Sequence, residues 1–283
     1  MLTPNKKQIG FTLIELSIVL VIIGLIVGGV LVGRDLIKSS EIRAQLSQIE
    51  QFRTAMNSFR IKYNALPGDI RSTDAAAFGL FASGNGPARA WGDGNGILEA
   101  GNGGCNLPGL TNCFYGEFLI FFRHLSDAQF IDGSYGKNND MCPDDLPAYI
   151  GRPAISTTPQ EIERYMPRAK IGKSSFLTTY SYQSTNYFAL AAFTSLGSGS
   201  CNGYYGATAA VNPLSGVEAY SIDKKIDDGN PNTGLIRAID TARNMTTLSL
   251  WVALSAITNC VAGGTNYNID NEDIGACSLS IKF

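Results

Sequence analysis

An acidic residue, Glu15, stands inside an otherwise apolar run that begins at Phe11 and continues to Val32. A carboxylate at the centre of a membrane helix costs about 2.5 to 3.5 kcal/mol, and less near the interface, so it requires a partner. The nearby side-chain cations are Lys6 and Lys7. If the chain were cut after Gly10, Phe11 would present a free α-amino group four residues from Glu15. In apolar surroundings those opposite charges attract far more strongly than in water. The chemistry open to Glu15 is charge compensation. The plainer reading is a signal anchor in which Glu15 snorkels to the headgroups.

Other residues with chemical potential lie far downstream. Two clusters have the composition of calcium loops: Asp93-Gly94-Asn95-Gly96 with Glu99, and Asp223 with Asp227, Asp228, Gly229, Asn230, Pro231 and Asn232. Calcium takes several carboxylate and carbonyl oxygens from a tight loop, although neither cluster has EF-hand spacing. The same residues also make turns, through Asx side-chain bonds and glycine at positive φ. Six cysteines, Cys105, Cys113, Cys142, Cys201, Cys260 and Cys277, all follow the apolar run, an even number suited to an oxidising compartment. Short loop closure favours Cys105 with Cys113 and Cys260 with Cys277, which leaves Cys142 with Cys201. Zinc is disfavoured, because there is no C-x-x-C pair and a single histidine, His124. That histidine falls in an aromatic-rich helical pattern and reads as a packed residue rather than a general base. With no G-x-S-x-G, H-E-x-x-H or Walker pattern, nothing points to an enzyme, and no cofactor is required beyond the optional calcium.

The element that must position Glu15 is a helix. From Phe11 to Val32 it would be roughly 33 Å long at about 1.5 Å per residue, a match to a hydrocarbon core of about 30 Å. Lys6 and Lys7 precede it without an acidic residue among the first ten, whereas Arg34, Asp35, Lys38, Glu41 and Arg43 mix signs after it. The basic end is therefore cytoplasmic and the bulk is exported. A secretory signal would place its small-residue cleavage site after the apolar core, and no such site follows Val32. Beyond it, Ile42, Leu46, Ile49, Phe52, Met56, Phe59 and Tyr63 recur at helical spacing, with Glu41, Arg43, Gln45, Gln48, Glu50, Arg53 and Arg60 assigned to a solvated face. The stripe could also form a coiled-coil seam. Leu66-Pro67-Gly68-Asp69 ends the helix, and Asp69-Ile70-Arg71 reads as helix-end chemistry.

A basic leader ending in Gly10, then Phe11-Thr12-Leu13-Ile14-Glu15-Leu16 and an apolar helix, resembles the prepilin signature of type IV pilins and type II secretion pseudopilins. The resemblance implies cleavage between Gly10 and Phe11 by a prepilin peptidase, N-methylation of Phe11, and neutralisation by Glu15 of a neighbouring subunit's terminal amine during assembly. Gly24 matches a commonly small position. Val32 stands where the family often has proline, and Gly24, Gly28, Gly29 and Gly33 are alternative sources of flexibility. The resemblance implies a leader at 1–10, an assembly and membrane half of the stem at 11–33, an amphipathic half at 34–63, and an exported globular domain at 64–283. It further implies other pilin or pseudopilin subunits as partners, with an inner-membrane assembly platform and membrane lipid before assembly. The location would be the inner membrane, then a surface pilus or periplasmic pseudopilus.

The expected fold class is α+β, with the long helix packed on an antiparallel sheet and disulfide-stapled loops. Helices are expected at Gly116–Ile131 and Thr158–Met166, set in an otherwise irregular stretch from Ala65 to Lys173. Ser215-x-x-Glu218 has capping-box spacing and predicts a helix from Gly216 to Asp227. Strands are expected at Ser175–Gln183, Tyr187–Phe193 and Ser278–Phe283. A net charge of -2 gives no electrostatic case for nucleic acid. The expected role is a structural filament subunit. A minor or tip pilin acting as an adhesin is the alternative, and a simple membrane-anchored protein left uncut at Gly10 is a third reading.

Overall fold

The computed structural model describes residues 12–82, 92–98, 117–136, 162–172, 175–196, 207–239, 260–270 and 275–283. Gly10, Phe11, Glu99, Cys105, Cys113, Cys142, Cys201 and residues 158–161 of the segment expected as a helix at 158–166 lie outside them; within that segment Glu163–Tyr165 form a turn rather than helix, with Tyr165 N–H on the Ile162 carbonyl at 2.9 Å. The chain divides into two units, Met1–Arg43 and Ala44–Phe283.

One helix, α1, runs from Leu13 to Tyr63 without interruption. In the first unit its apolar side chains are exposed, from Leu13 through Val32. It is long and apolar enough to cross a membrane. The four glycines at 24, 28, 29 and 33 stay helical, so the sequence pattern that could supply flexibility does not break the helix. A hypothetical Cβ at any of them meets nothing within 4 Å.

The second unit is α+β. Within it, α1 buries Ile49, Phe52, Ala55, Met56 and Phe59. The partner element is α3, Glu117–Asp127, following a short α2 at Ser72–Ala77. The α3 helix joins stem to sheet through aromatic edges: Phe122 meets Phe52 at 5.4 Å, and Phe121 meets Phe188 at 5.8 Å. Full burial of such rings stabilises the fold by roughly 1.5 to 3 kcal/mol each. Direct contact with the sheet's last strand comes from Arg53, which donates to the Lys282 carbonyl at 2.9 Å.

The sheet contains β1 (Ser175–Tyr182), β2 (Thr185–Leu196), β3 (Ala207–Val211), β4 (Ile236–Ile239) and, beyond a small hairpin of β5 (Val261–Ala262) and β6 (Asn266–Tyr267), β7 (Ser278–Lys282). Its order is β1-β2-β7-β4, all antiparallel, with β3 also paired to β2. The β1–β2 hairpin turns on Gln183 and Ser184, both at positive φ, the geometry of a two-residue type I′ turn. Helix α4, Gly216–Ile226, starts at the expected place: Ser215 accepts from the Glu218 amide, and the Glu218 side chain accepts from the Ser215 amide. Cys260 and Cys277 form a disulfide that ties the β5–β6 hairpin to the strand entering β7.

The solvated face expected of the stem needs one correction. Gln45 and Gln48 are buried. Gln48 donates to the Arg168 carbonyl at 2.8 Å, and the Gln45 amide oxygen accepts from Lys170 N–H at 2.7 Å. Segment 167–169 in turn pairs with the outer edge of β1, with Ala169 N–H on the Ser175 carbonyl and Leu177 N–H on the Pro167 carbonyl. The two amides behave like peptide groups, which is why polar residues belong there: they cover the far side of an added strand that would otherwise be an open edge.

Candidate functional site

Glu15 sits in the first turn of α1 and makes a reciprocal cap with Thr12. The Thr12 amide and hydroxyl both donate to Glu15 Oε2, at 2.8 and 2.7 Å, while the Glu15 amide donates to Thr12 Oγ1 at 3.4 Å. This is a capping box, Thr-x-x-Glu, legible in the residues though not used in reading them. Its effect is to hold the carboxylate at the positive end of the helix macrodipole, next to the residue that follows Phe11. The site thus combines a fixed carboxylate with a long exposed apolar helix surface.

The first calcium-like cluster is assembled differently from its sequence neighbours. Asp93 bonds to Asn95 through both carboxylate oxygens, at 2.9 and 3.0 Å, and Asn95 Oδ1 accepts from Ile97 N–H at 2.7 Å. Buried Asp69 anchors the loop from outside it, accepting from Gly94 and Gly96 N–H at 2.9 and 2.7 Å. Asn186 of β2 completes the attachment, accepting from Leu98 N–H and donating to the Gly96 carbonyl. The carboxylates of Asp69, Asp93 and Glu117 lie within 4.8 Å of one another. Burial pushes the Asp69 carboxyl up from its ordinary range. Asp69, read as helix-end chemistry, is instead the anchor of a loop more than twenty residues away.

In the second cluster Asp223, Asp227 and Asp228 also converge within 4.8 Å. Asp223 accepts from Tyr267 OH at 2.8 Å and Gly229 N–H at 3.1 Å. Asp227 accepts from the Leu235 and Ile236 amides, and Asp228 from Asn230 N–H and the Thr233 hydroxyl. Asn232 donates to the Gly264 carbonyl. Burial pushes the Asp223 carboxyl up to about 6 and the Tyr267 phenol well above its usual range. In both clusters these oxygens accept bonds from backbone amides and hold the turns in place.

His124 is buried on α3, with Nδ1 accepting from Gly68 N–H at 2.9 Å and Nε2 facing the Phe81 carbonyl at 2.8 Å. Both ring nitrogens are committed to backbone, so the geometry is that of a packed connector.

A continuous helix with an exposed apolar half and a capped acidic residue, leading into an α+β unit, is the architecture of a domain carried on a single apolar helix. Residues 5–31 match the family model of the prokaryotic N-terminal methylation motif, and the chain therefore carries the signature of type IV pilin and pseudopilin precursors. That signature is one of structural subunits. No curated protein and no solved structure matches the chain.

Proposed function

We propose that this protein is a structural subunit of a type IV pilus or a related pseudopilus. The observation that carries the reading is the methylation motif at residues 5–31 running directly into a helix whose apolar surface is exposed from Leu13 to Val32. Prepilin peptidase cuts between Gly10 and Phe11, Phe11 is methylated, and the subunit waits in the inner membrane with its bulk exported. Assembly at an inner-membrane platform then replaces lipid contacts of the stem with contacts between stems. Glu15 compensates the terminal amine of a neighbouring subunit, so the acidic residue that is costly in lipid becomes paired in the filament. The expected outcome for Glu15→Ala is normal membrane insertion with filament incorporation lost; normal incorporation of that variant would overturn the reading.

A second role within the same class is a minor or tip subunit acting as an adhesin. The size of the globular part favours it, since about 220 residues follow the stem. Abundance separates the two: a major subunit dominates purified filaments, whereas a tip subunit is a trace component.

A further inference from the structure

We propose that His124 is a proton-operated joint, a neutral imidazole that fastens the exit turn of the stem to α3 and to Phe81 and releases that turn when the ring takes a second proton. The tautomer follows from the partners. Gly68 N–H can only donate, so Nδ1 carries no proton; the single ring proton is on Nε2, which donates to the Phe81 carbonyl. A second proton has only the Nδ1 lone pair to go to, and there it would set one N–H against another.

The surroundings give the turn little room to adjust. Gly68 is at φ +91, and a Cβ there would lie 2.3 Å from the Glu117 carbonyl oxygen. The ring lies nearly parallel to Phe59 of the stem, at 9° and 6.0 Å. Among the described residues, the charged groups around this joint are Glu117, Arg123 and Asp127 from α3, Lys62 from the stem, whose ammonium lies over the Phe130 ring, and Asp69 from the turn itself, which clusters with Glu117 and Asp93. Asp127 also accepts from Phe81 N–H, so it steadies the same residue whose carbonyl accepts the hydrogen bond from His124 Nε2.

Burial pushes the ring down to about 4, opposed by its hydrogen bond to the Phe81 carbonyl and by Asp127, with Arg123 acting in the same direction as burial. Because this lies below the value of about 6.5 for a free imidazole, the opened form binds more protons between those limits. The joint is therefore fully closed above about pH 6.5 and loses stability as pH falls toward 4. Release passes onward, since the turn carries Asp69, whose carboxylate anchors Gly94 and Gly96. Residues 66–70 and 92–98 should loosen together, before the sheet.

His124 is the chain's single histidine, which makes the test direct. The full chain, in detergent micelles with 15N-labelled histidine, gives one imidazole signal. It should show protonated Nε2 and bare, hydrogen-bonded Nδ1 at pH 7, and remain neutral to below pH 5. Hydrogen exchange, corrected for intrinsic pH dependence, should lose at least tenfold in protection at 66–70 and 92–98 between pH 6.5 and 4, with β1 and β2 unchanged. His124→Gln should show no such local change over the same range. A ring protonated on Nδ1 at pH 7, a second proton taken up near pH 6.5, a loss spread evenly over β1 and β2, or the same local loss in His124→Gln would each overturn the proposal. If His124→Gln does not fold, the wild-type ring signal and the pattern of protection decide alone.

Discussion

Gln45 and Gln48 show how a polar side chain inside an apolar stripe can specify rather than weaken a packing. Each spends one end of its amide on segment 168–170, leaving Gln45 Nε2 and Gln48 Oε1 without a partner among the described residues. Each therefore contributes one bond, and Gln45→Ala or Gln48→Ala should cost about 1 to 2 kcal/mol in chemical denaturation of the full chain in detergent. Gln51→Ala, on an exposed position of the same helix, should stay within about 0.5 kcal/mol. Equal effects at all three positions would contradict the edge-covering role. These glutamines were assigned to the solvated face because periodicity ranks residues by polarity, and an amide that imitates a peptide group is invisible to such a ranking. Asp69 escaped for a related reason: its partners, Gly94 and Gly96, are distant in sequence. That Glu15 needs a partner, by contrast, is legible because a lone carboxylate in an apolar run has few physical explanations, and the partner within the described residues is Thr12.

Elements with their own local signals were legible. The Ser215-x-x-Glu218 spacing placed α4, and the capping box forms as the spacing requires. Ser215→Ala should lower stability by about 1 kcal/mol. An unchanged unfolding midpoint would mean that packing alone sets the start of this helix. The β1 and β7 boundaries came within a residue or so, since aromatic and β-branched residues cluster there. The tight hairpin between β1 and β2 was hidden because Gln183 and Ser184 lack the glycine or asparagine that marks positive φ. Short β3, β4, β5 and β6, and the six-residue α2, owe their structure to neighbours rather than to pattern. The Cys260–Cys277 pairing suggested by loop closure is present. With a sequence separation of 17, the chain-entropy model gives it about 3 kcal/mol. A Cys260→Ser, Cys277→Ser double variant should lose most of that in denaturant unfolding, and a loss below about 0.5 kcal/mol would show that the hairpin's other attachments suffice.

For the whole molecule, one helix serves two solvents. Its first part is apolar on all sides, and its second part packs against α3 while bonding to 168–170 and the last strand. A carboxylate capped at its N-terminus and a methylation motif across residues 5–31 make the proposed processing at Gly10 and Phe11 the step to test first. The most direct test is intact mass spectrometry of the protein recovered from membranes and from sheared surface material. Loss of Met1 to Gly10 together with one added methyl group on Phe11 is the predicted result. An uncut, unmethylated chain in both fractions would contradict assembly through a processed stem and leave a simple membrane-anchored domain.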